Sequence, residues 1–91
     1  MDEKIRKIIS EKVDDILGKN DEITKIISSM DSLDSESLRY GILIGRLYNS
    51  FYYQHRRVLS RNPTADEFLE FLEFVKLNQK NFQEKLGSYN F

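Results

Sequence analysis

The segment from Ser37 to Arg61 constrains the fold of this chain more than any other stretch. It contains the longest apolar run, five of the six arginines, the only histidine and four of the five tyrosines. No proline interrupts it, and its apolar residues recur at helical intervals. Because residues three and four apart share one side of a helix, the segment predicts a long helix with one apolar and one cationic side.

Further amphipathic segments lie on both sides of this one. The apolar spacing predicts helices at about residues 3–17, 21–30, 36–61 and 65–86. Gly18 is well placed to end the first of them. However, Ile9, Ile16, Ile23 and Met30 are each seven residues apart, a spacing that also permits one long helix through the glycine.

Capping residues indicate where the later helices begin and end. Asp34 or Ser35 is expected to begin the third helix, because such side chains bond to free backbone amides. That helix should end before Pro63, since the residue preceding a proline avoids helical dihedrals. Thr64 and Glu67 have the spacing of a capping box. These signals predict a single all-α domain over residues 1–91, a bundle of three to four antiparallel helices.

Composition excludes several classes of protein. The chain has no cysteine, which excludes disulfides and thiolate metal sites. The charged N-terminus lacks the apolar core of a signal peptide, and no apolar run reaches the roughly 20 residues of a membrane span. We therefore expect a soluble, cytoplasmic protein with no membrane partner.

His55 is the one residue that invites a catalytic or metal-binding interpretation. Its neighbours on the helix, at positions 51, 52, 58 and 59, are Phe, Tyr, Val and Leu, none of which supplies a second metal ligand. The sequence also lacks a glycine-rich phosphate loop and a nucleophile elbow. We expect His55 to lie in a core or an interface, in a protein that is not an enzyme and binds no cofactor.

The net charge of −1 conceals a basic helix between acidic neighbours. A mixture of cationic and aromatic side chains is typical of surfaces that bind nucleic acid. The candidate residues for contact with nucleic acid or another anionic partner are Arg39, Arg46, Tyr53, Arg56, Arg57 and Arg61. Alternatively, these arginines pair with acidic residues of the linker or the fourth helix. The sequence pI of about 5.8 does not suit a dedicated nucleic-acid binder.

Apolar residues outnumber the positions that a small core needs, which predicts a homo-oligomer. Gly41 and Gly45, four residues apart, would let a second helix approach closely. The candidate self-association residues are Gly41, Ile42, Leu43, Gly45 and Phe74. Alternatively, the glycines admit a bulky neighbour within the bundle. The leading prediction is a small accessory protein that forms a helical homodimer and binds a protein partner whose identity the sequence does not reveal.

The C-terminal residues Gln83-Glu84-Lys85-Leu86-Gly87-Ser88-Tyr89-Asn90-Phe91 resemble the sliding-clamp-binding motif. That motif has a glutamine, an aliphatic residue three positions later, and then paired aromatics. Asn90 stands where the second aromatic belongs. The resemblance implies that Gln83, Leu86, Tyr89 and Phe91 enter the clamp's pockets. Alternatively, the aromatic tail folds back over the end of the last helix.

Overall fold

A computed structural model describes residues 1–30 and 34–87, and within them the chain forms helices and no strand. The elements are α1 (Glu3–Gly18), α2 (Asn20–Ser28), α3 (Ser35–Leu59) and α4 (Ala65–Gly87). The prediction of an all-α fold is confirmed. None of the described helices is long and apolar enough to cross a membrane.

A single residue, Lys19, separates α1 from α2. Its backbone angles, φ −103° and ψ 28°, depart from the helix, and its amide donates to the Ile16 carbonyl at 3.0 Å. The break therefore falls between the two predicted helices, 3–17 and 21–30, next to Gly18, and the alternative of one long helix through the glycine is wrong. Helix α2 begins at Asn20, one residue before the predicted start at residue 21, and it has no side-chain cap.

Asp34 begins α3, as the sequence predicts. Its carboxylate accepts hydrogen bonds from the amides of Glu36 and Ser37. The Ser37 hydroxyl also donates to it at 2.8 Å, and this bond contributes most to lowering the pKa of Asp34. At its other end α3 stops at Leu59, two residues before the predicted end, because Ser60 adopts a left-handed conformation with φ 58°.

α3 is the central element and contacts α1, α2 and α4. Its buried residues follow one another at every fourth position: Arg39, Leu43, Leu47, Phe51 and His55. Because four residues turn the helix by about 400°, each step moves about 40° around the axis. Over 25 residues the buried strip therefore winds around the helix. A sequence prediction that gives α3 one fixed apolar side therefore misplaces Arg39 and Leu43, which lie near the N-terminal end of the helix.

The core closes around this strip. Its fully buried side chains include Ile5 and Ile9 of α1, Ile23 of α2, and Phe82 of α4. Phe51 stacks on Phe71, with ring centroids 4.6 Å apart and planes inclined by 24°. The stack joins α3 to α4 where both helices are most aromatic.

Two of the predicted self-association residues belong to this core. Leu43 is fully buried and Phe74 is 9% exposed, both inside the cluster of a single chain. Their assignment to an intermolecular surface is therefore wrong. Leu43 lies on the winding buried strip, and Phe74 packs with the other buried side chains around it.

Candidate functional site

The C-terminal end of α3 and the first turn of α4 meet in a compact polar cluster. The Arg61 guanidinium binds both carboxylate oxygens of Glu67, at 2.6 and 3.1 Å. The same carboxylate accepts the Thr64 amide at 2.9 Å, and the Glu67 amide donates to the Thr64 hydroxyl at 3.1 Å. The predicted capping box is confirmed, and it also neutralises Arg61. We call His55, Arg61, Thr64 and Glu67 the corner cluster.

Glu67 is charged in this cluster. The hydrogen bonds from Arg61 contribute most, and those from Thr64 add to them, so that the pKa of Glu67 falls to about 2. The hydrogen bonds to Glu67 raise the pKa of Arg61. Each partner therefore holds the other in its ionised form, and the ion pair connects the α3–α4 turn to the helix that follows it.

His55 extends the cluster into the core. Its side chain is fully buried, with Nδ1 at 2.7 Å from the Phe51 carbonyl and Nε2 at 3.6 Å from the Glu67 carboxylate. Because a carbonyl only accepts, Nδ1 carries a proton. The Phe51 ring lies 4.5 Å away in an edge-on arrangement. Within the described residues, no three metal-ligating side chains come together. The histidine joins α3 to α4.

The arginines of α3 differ in their burial and in their hydrogen-bond partners. Arg39, predicted on the outward face, is 5% exposed and donates to the Thr24 hydroxyl of α2 at 3.0 Å. That prediction is wrong, because the winding buried strip carries Arg39 under α2. Arg56 lies over the Tyr52 ring at 5.7 Å and donates to Asn62, while Arg57 donates to Gln54.

These contacts separate two kinds of cation. Arg61 is paired with a carboxylate of α4, as one of the sequence interpretations proposed. Arg56 and Arg57 are exposed and donate to neutral side chains. Tyr53, between them on the helix surface, is 59% exposed. We call Tyr53, Arg56 and Arg57 the basic end of α3.

A second surface of α3 faces away from the core. Gly41 and Gly45 are exposed, and a Cβ added at either would meet no atom of the described residues within 4 Å, apart from the adjacent residues and backbone of its own helix. The alternative that they admit a bulky neighbour within one chain is therefore wrong. Tyr48, on the same face, is 44% exposed, and its bond to Tyr52 contributes most to raising its pKa. We call Gly41, Ile42, Gly45 and Tyr48 the outer face of α3.

A groove runs between α1 and the outer face. It measures about 390 Å³ and is lined by Lys12 of α1 and by Ile42, Gly45, Arg46, Asn49 and Ser50 of α3. Arg46 is half-buried there and makes no hydrogen bond or ion pair within the described part of the chain. We call this feature the α1–α3 groove. Sequence reasoning missed it, because Lys12 is distant in sequence from the α3 residues.

The structure describes only part of the C-terminal segment that resembles the clamp-binding motif. Gln83 is exposed and lines a groove with Tyr40 and Gln79. Tyr89 and Phe91 lie outside the described residues, and so does the side chain of Leu86. The resemblance to a clamp-binding motif stays a prediction. Loss of binding to a purified sliding clamp after deletion of residues 89–91 would test it.

Comparisons with protein families, with curated proteins and with solved structures find no match to this chain. The surfaces of the chain itself therefore indicate its function. Three of them have unsatisfied groups or exposed apolar area: the outer face of α3, its basic end and the α1–α3 groove. The corner cluster differs, because Arg61, Thr64 and Glu67 bind one another, although the buried His55 Nε2 has no hydrogen-bond partner among the described residues.

Proposed function

We propose that this chain is a small helical interaction protein that self-associates through the outer face of α3 and binds a protein partner. One observation carries the proposal: Gly41 and Gly45 lie in the middle of a long helix with open space around both. A glycine inside a helix costs about 1 kcal/mol relative to alanine. No contact within the described chain offsets that cost, whereas a helix of a second copy passing close to the glycines would.

The residues beside the glycines suit such a contact. Ile42 is half-buried and Tyr48 is 44% exposed. Leu72 of α4 is 45% exposed, and the Tyr48 ring lies 6.2 Å from Phe68, one turn before that leucine. Apolar and aromatic side chains exposed on neighbouring helices are typical of interfaces. In a two-fold dimer the same face of each copy would meet the other.

Contacts between α3 and α4 support the antiparallel arrangement that we propose for the bundle. Late in α3, His55 lies beside Glu67 at the start of α4. Early in α3, Tyr40 shares a groove with Gln83 near the end of α4. The outer face of α3 would then be free along its length for a second copy.

The test is a bulky substitution in the outer face. Gly41→Met replaces glycine with a better helix former in open space, so the single chain should remain folded. The methionine would hold a second helix away, and we expect the dissociation constant of the dimer to rise at least about tenfold, or about 1.4 kcal/mol. Sedimentation equilibrium at micromolar concentration measures it.

Gly18→Met is the matched control. Gly18 also has open space around it but ends α1, away from the outer face, so this variant should associate like the parent chain. A parent chain that is strictly monomeric at these concentrations would overturn the proposal. Equal effects of the two substitutions would show that the outer face is not the interface.

Binding of nucleic acid is the second candidate, favoured by the basic end of α3. Arg56 and Arg57 donate to neutral side chains, so a phosphate would displace no carboxylate from either of them. Tyr53 offers an exposed ring on which a base could stack. Such binding would weaken steeply with salt, since phosphate contacts release counterions.

The nucleic-acid candidate is tested by gel retardation of short DNA and RNA at low salt. Arg57→Glu should abolish retardation, whereas Arg6→Glu makes the same charge change on α1, in a groove with Glu70 and Glu73. Arg6→Glu should leave retardation nearly intact. No retardation by the parent chain at low salt would end this candidate.

A further inference from the structure

We infer that the α1–α3 groove is a binding site for a phosphate group. The groove brings two cationic side chains from different helices, Lys12 and Arg46, to one opening. Asn49 and Ser50 add an amide and a hydroxyl that can donate hydrogen bonds. The inference goes beyond self-association and rests on the polar residues of the groove, although the groove shares Ile42 and Gly45 with the outer face of α3.

The lining of this groove differs from that of two other grooves that contain a cationic side chain. The groove beside Arg6 contains Glu70 and Glu73, and the groove beside Lys85 contains Asp14. In each of those, a carboxylate offsets the cation and would repel a phosphate. No carboxylate lines the α1–α3 groove itself, although Lys12 also pairs with Asp15 beside it, so an incoming anion meets two cations and no acidic group in the lining.

Arg46 has donors to offer. A guanidinium presents several N–H groups in a planar fork, which suits two oxygens of one phosphate. The side-chain N–H groups of Arg46 donate no hydrogen bond within the described residues. A phosphate in the groove would therefore gain bonds with Arg46 without breaking one.

Lys12 completes the opposite wall. Its ammonium group lies 3.6 Å from the Asp15 carboxylate, and both side chains are partly exposed, at 35% and 46%. Such a surface pair is weak, and Asp15 does not line the groove. The lysine can therefore turn one of its three donors toward a bound oxygen while it remains near Asp15.

Hydrogen-bond donors lie on both walls of the groove, Lys12 on one and Arg46, Asn49 and Ser50 on the other. This arrangement favours phosphate over a carboxylate, because phosphate oxygens point in several directions. The volume of about 390 Å³ falls in the range of small-molecule sites and exceeds that of the anion alone. The groove therefore leaves space for an organic group attached to the phosphate. The group could belong to a free phosphate ester or to a nucleic-acid backbone.

The experiment is an NMR titration of the full chain with inorganic phosphate, compared with chloride at equal ionic strength. We expect saturable shifts at the Arg46 side-chain Nε–H and the Asn49 and Ser50 amides. Arg46→Gln and Lys12→Gln should each weaken binding at least about fivefold. Arg56→Gln, which removes the same charge at the basic end of α3, should change it by less than about twofold.

Shifts that chloride reproduces would overturn the inference, and so would equal weakening by Arg56→Gln. Arg46→Lys, which keeps the charge but loses the fork, should retain part of the affinity and serves as a check on folding. Diffusion measured in the same samples reports self-association separately. A groove that binds no phosphate would therefore leave the dimer proposal standing, and a monomer that binds phosphate would leave this inference standing.

Two further titrations separate the sources of the phosphate group. A nucleoside monophosphate that binds more tightly than a dinucleotide would identify the site as one for free phosphate esters. Tighter binding of the dinucleotide, with loss on Arg46→Gln, would join the groove to the nucleic-acid candidate. Both results support a phosphate site in the α1–α3 groove.

Discussion

The corner cluster differs from the outer face of α3 and the α1–α3 groove in whether its side chains find partners within the chain. At the corner, Arg61, Thr64 and Glu67 satisfy one another, and the buried His55 lies beside them. On the outer face of α3 the glycines have open space around them, and in the α1–α3 groove the Arg46 side chain makes no hydrogen bond or ion pair within the described residues. Groups that are satisfied within one chain stabilise its fold. Groups left unsatisfied indicate where a partner would bind.

The largest expected effect tests the interior side of this comparison. Phe51→Ala should lower the free energy of unfolding by about 3–5 kcal/mol, because a fully buried ring that stacks on Phe71 is replaced by a cavity. Tyr53→Ala, two residues further along the same helix, removes a ring that is 59% exposed and should change stability by less than about 0.5 kcal/mol. Urea unfolding followed by circular dichroism measures both, and similar losses would contradict the assignment of inner and outer surfaces.

The second prediction compares two arginines on one helix. Arg39→Ala should destabilise the chain by about 2 kcal/mol, because it removes a buried side chain and its bond to Thr24. Arg46→Ala should alter stability by less than about 0.5 kcal/mol. Urea unfolding of both variants at one protein concentration measures the two changes in stability. A larger loss for Arg46→Ala would mean that the groove arginine has a structural role.

These two arginines also show what the sequence could predict. The helical class, the Asp34 cap and the Thr64–Glu67 capping box followed from local patterns, because each depends on residues within one turn. The burial of Arg39 did not follow, since it depends on how α2 crosses α3. The α1–α3 groove also depends on tertiary packing, which brings Lys12 beside Arg46. Periodicity places a residue on its own helix but does not say which other helix covers it.

The third prediction concerns the pH dependence of the corner cluster. The pKa of Glu67 is lowered in the folded chain to about 2 from its ordinary value of 4.5, so its contribution to stability is present above about pH 4.5 and lost as the pH falls toward 2. Glu67→Gln removes the charge and weakens the capping box, and should cost about 1–2 kcal/mol at neutral pH.

Unfolding measured at several pH values tests this prediction. The loss of stability between pH 4.5 and 2 should be smaller in Glu67→Gln than in the parent chain. Glu73→Gln, which removes an exposed carboxylate of the same helix, controls for the loss of one charge. An unchanged slope in Glu67→Gln would show that other carboxylates control the acid response.

The smallest effect has the opposite sign and tests the outer face directly. Gly41→Ala places a methyl group in open space and removes the flexibility of a helical glycine, so it should stabilise the single chain by about 0.5–1 kcal/mol. Unfolding at a concentration low enough to keep the chain monomeric isolates this gain.

At higher concentration the same methyl group should weaken association, if a second helix approaches Gly41 closely. A substitution that stabilises the monomer and weakens the dimer would be hard to explain by any role of Gly41 within one chain. Stabilisation at both concentrations would place the dimer contact elsewhere on the surface.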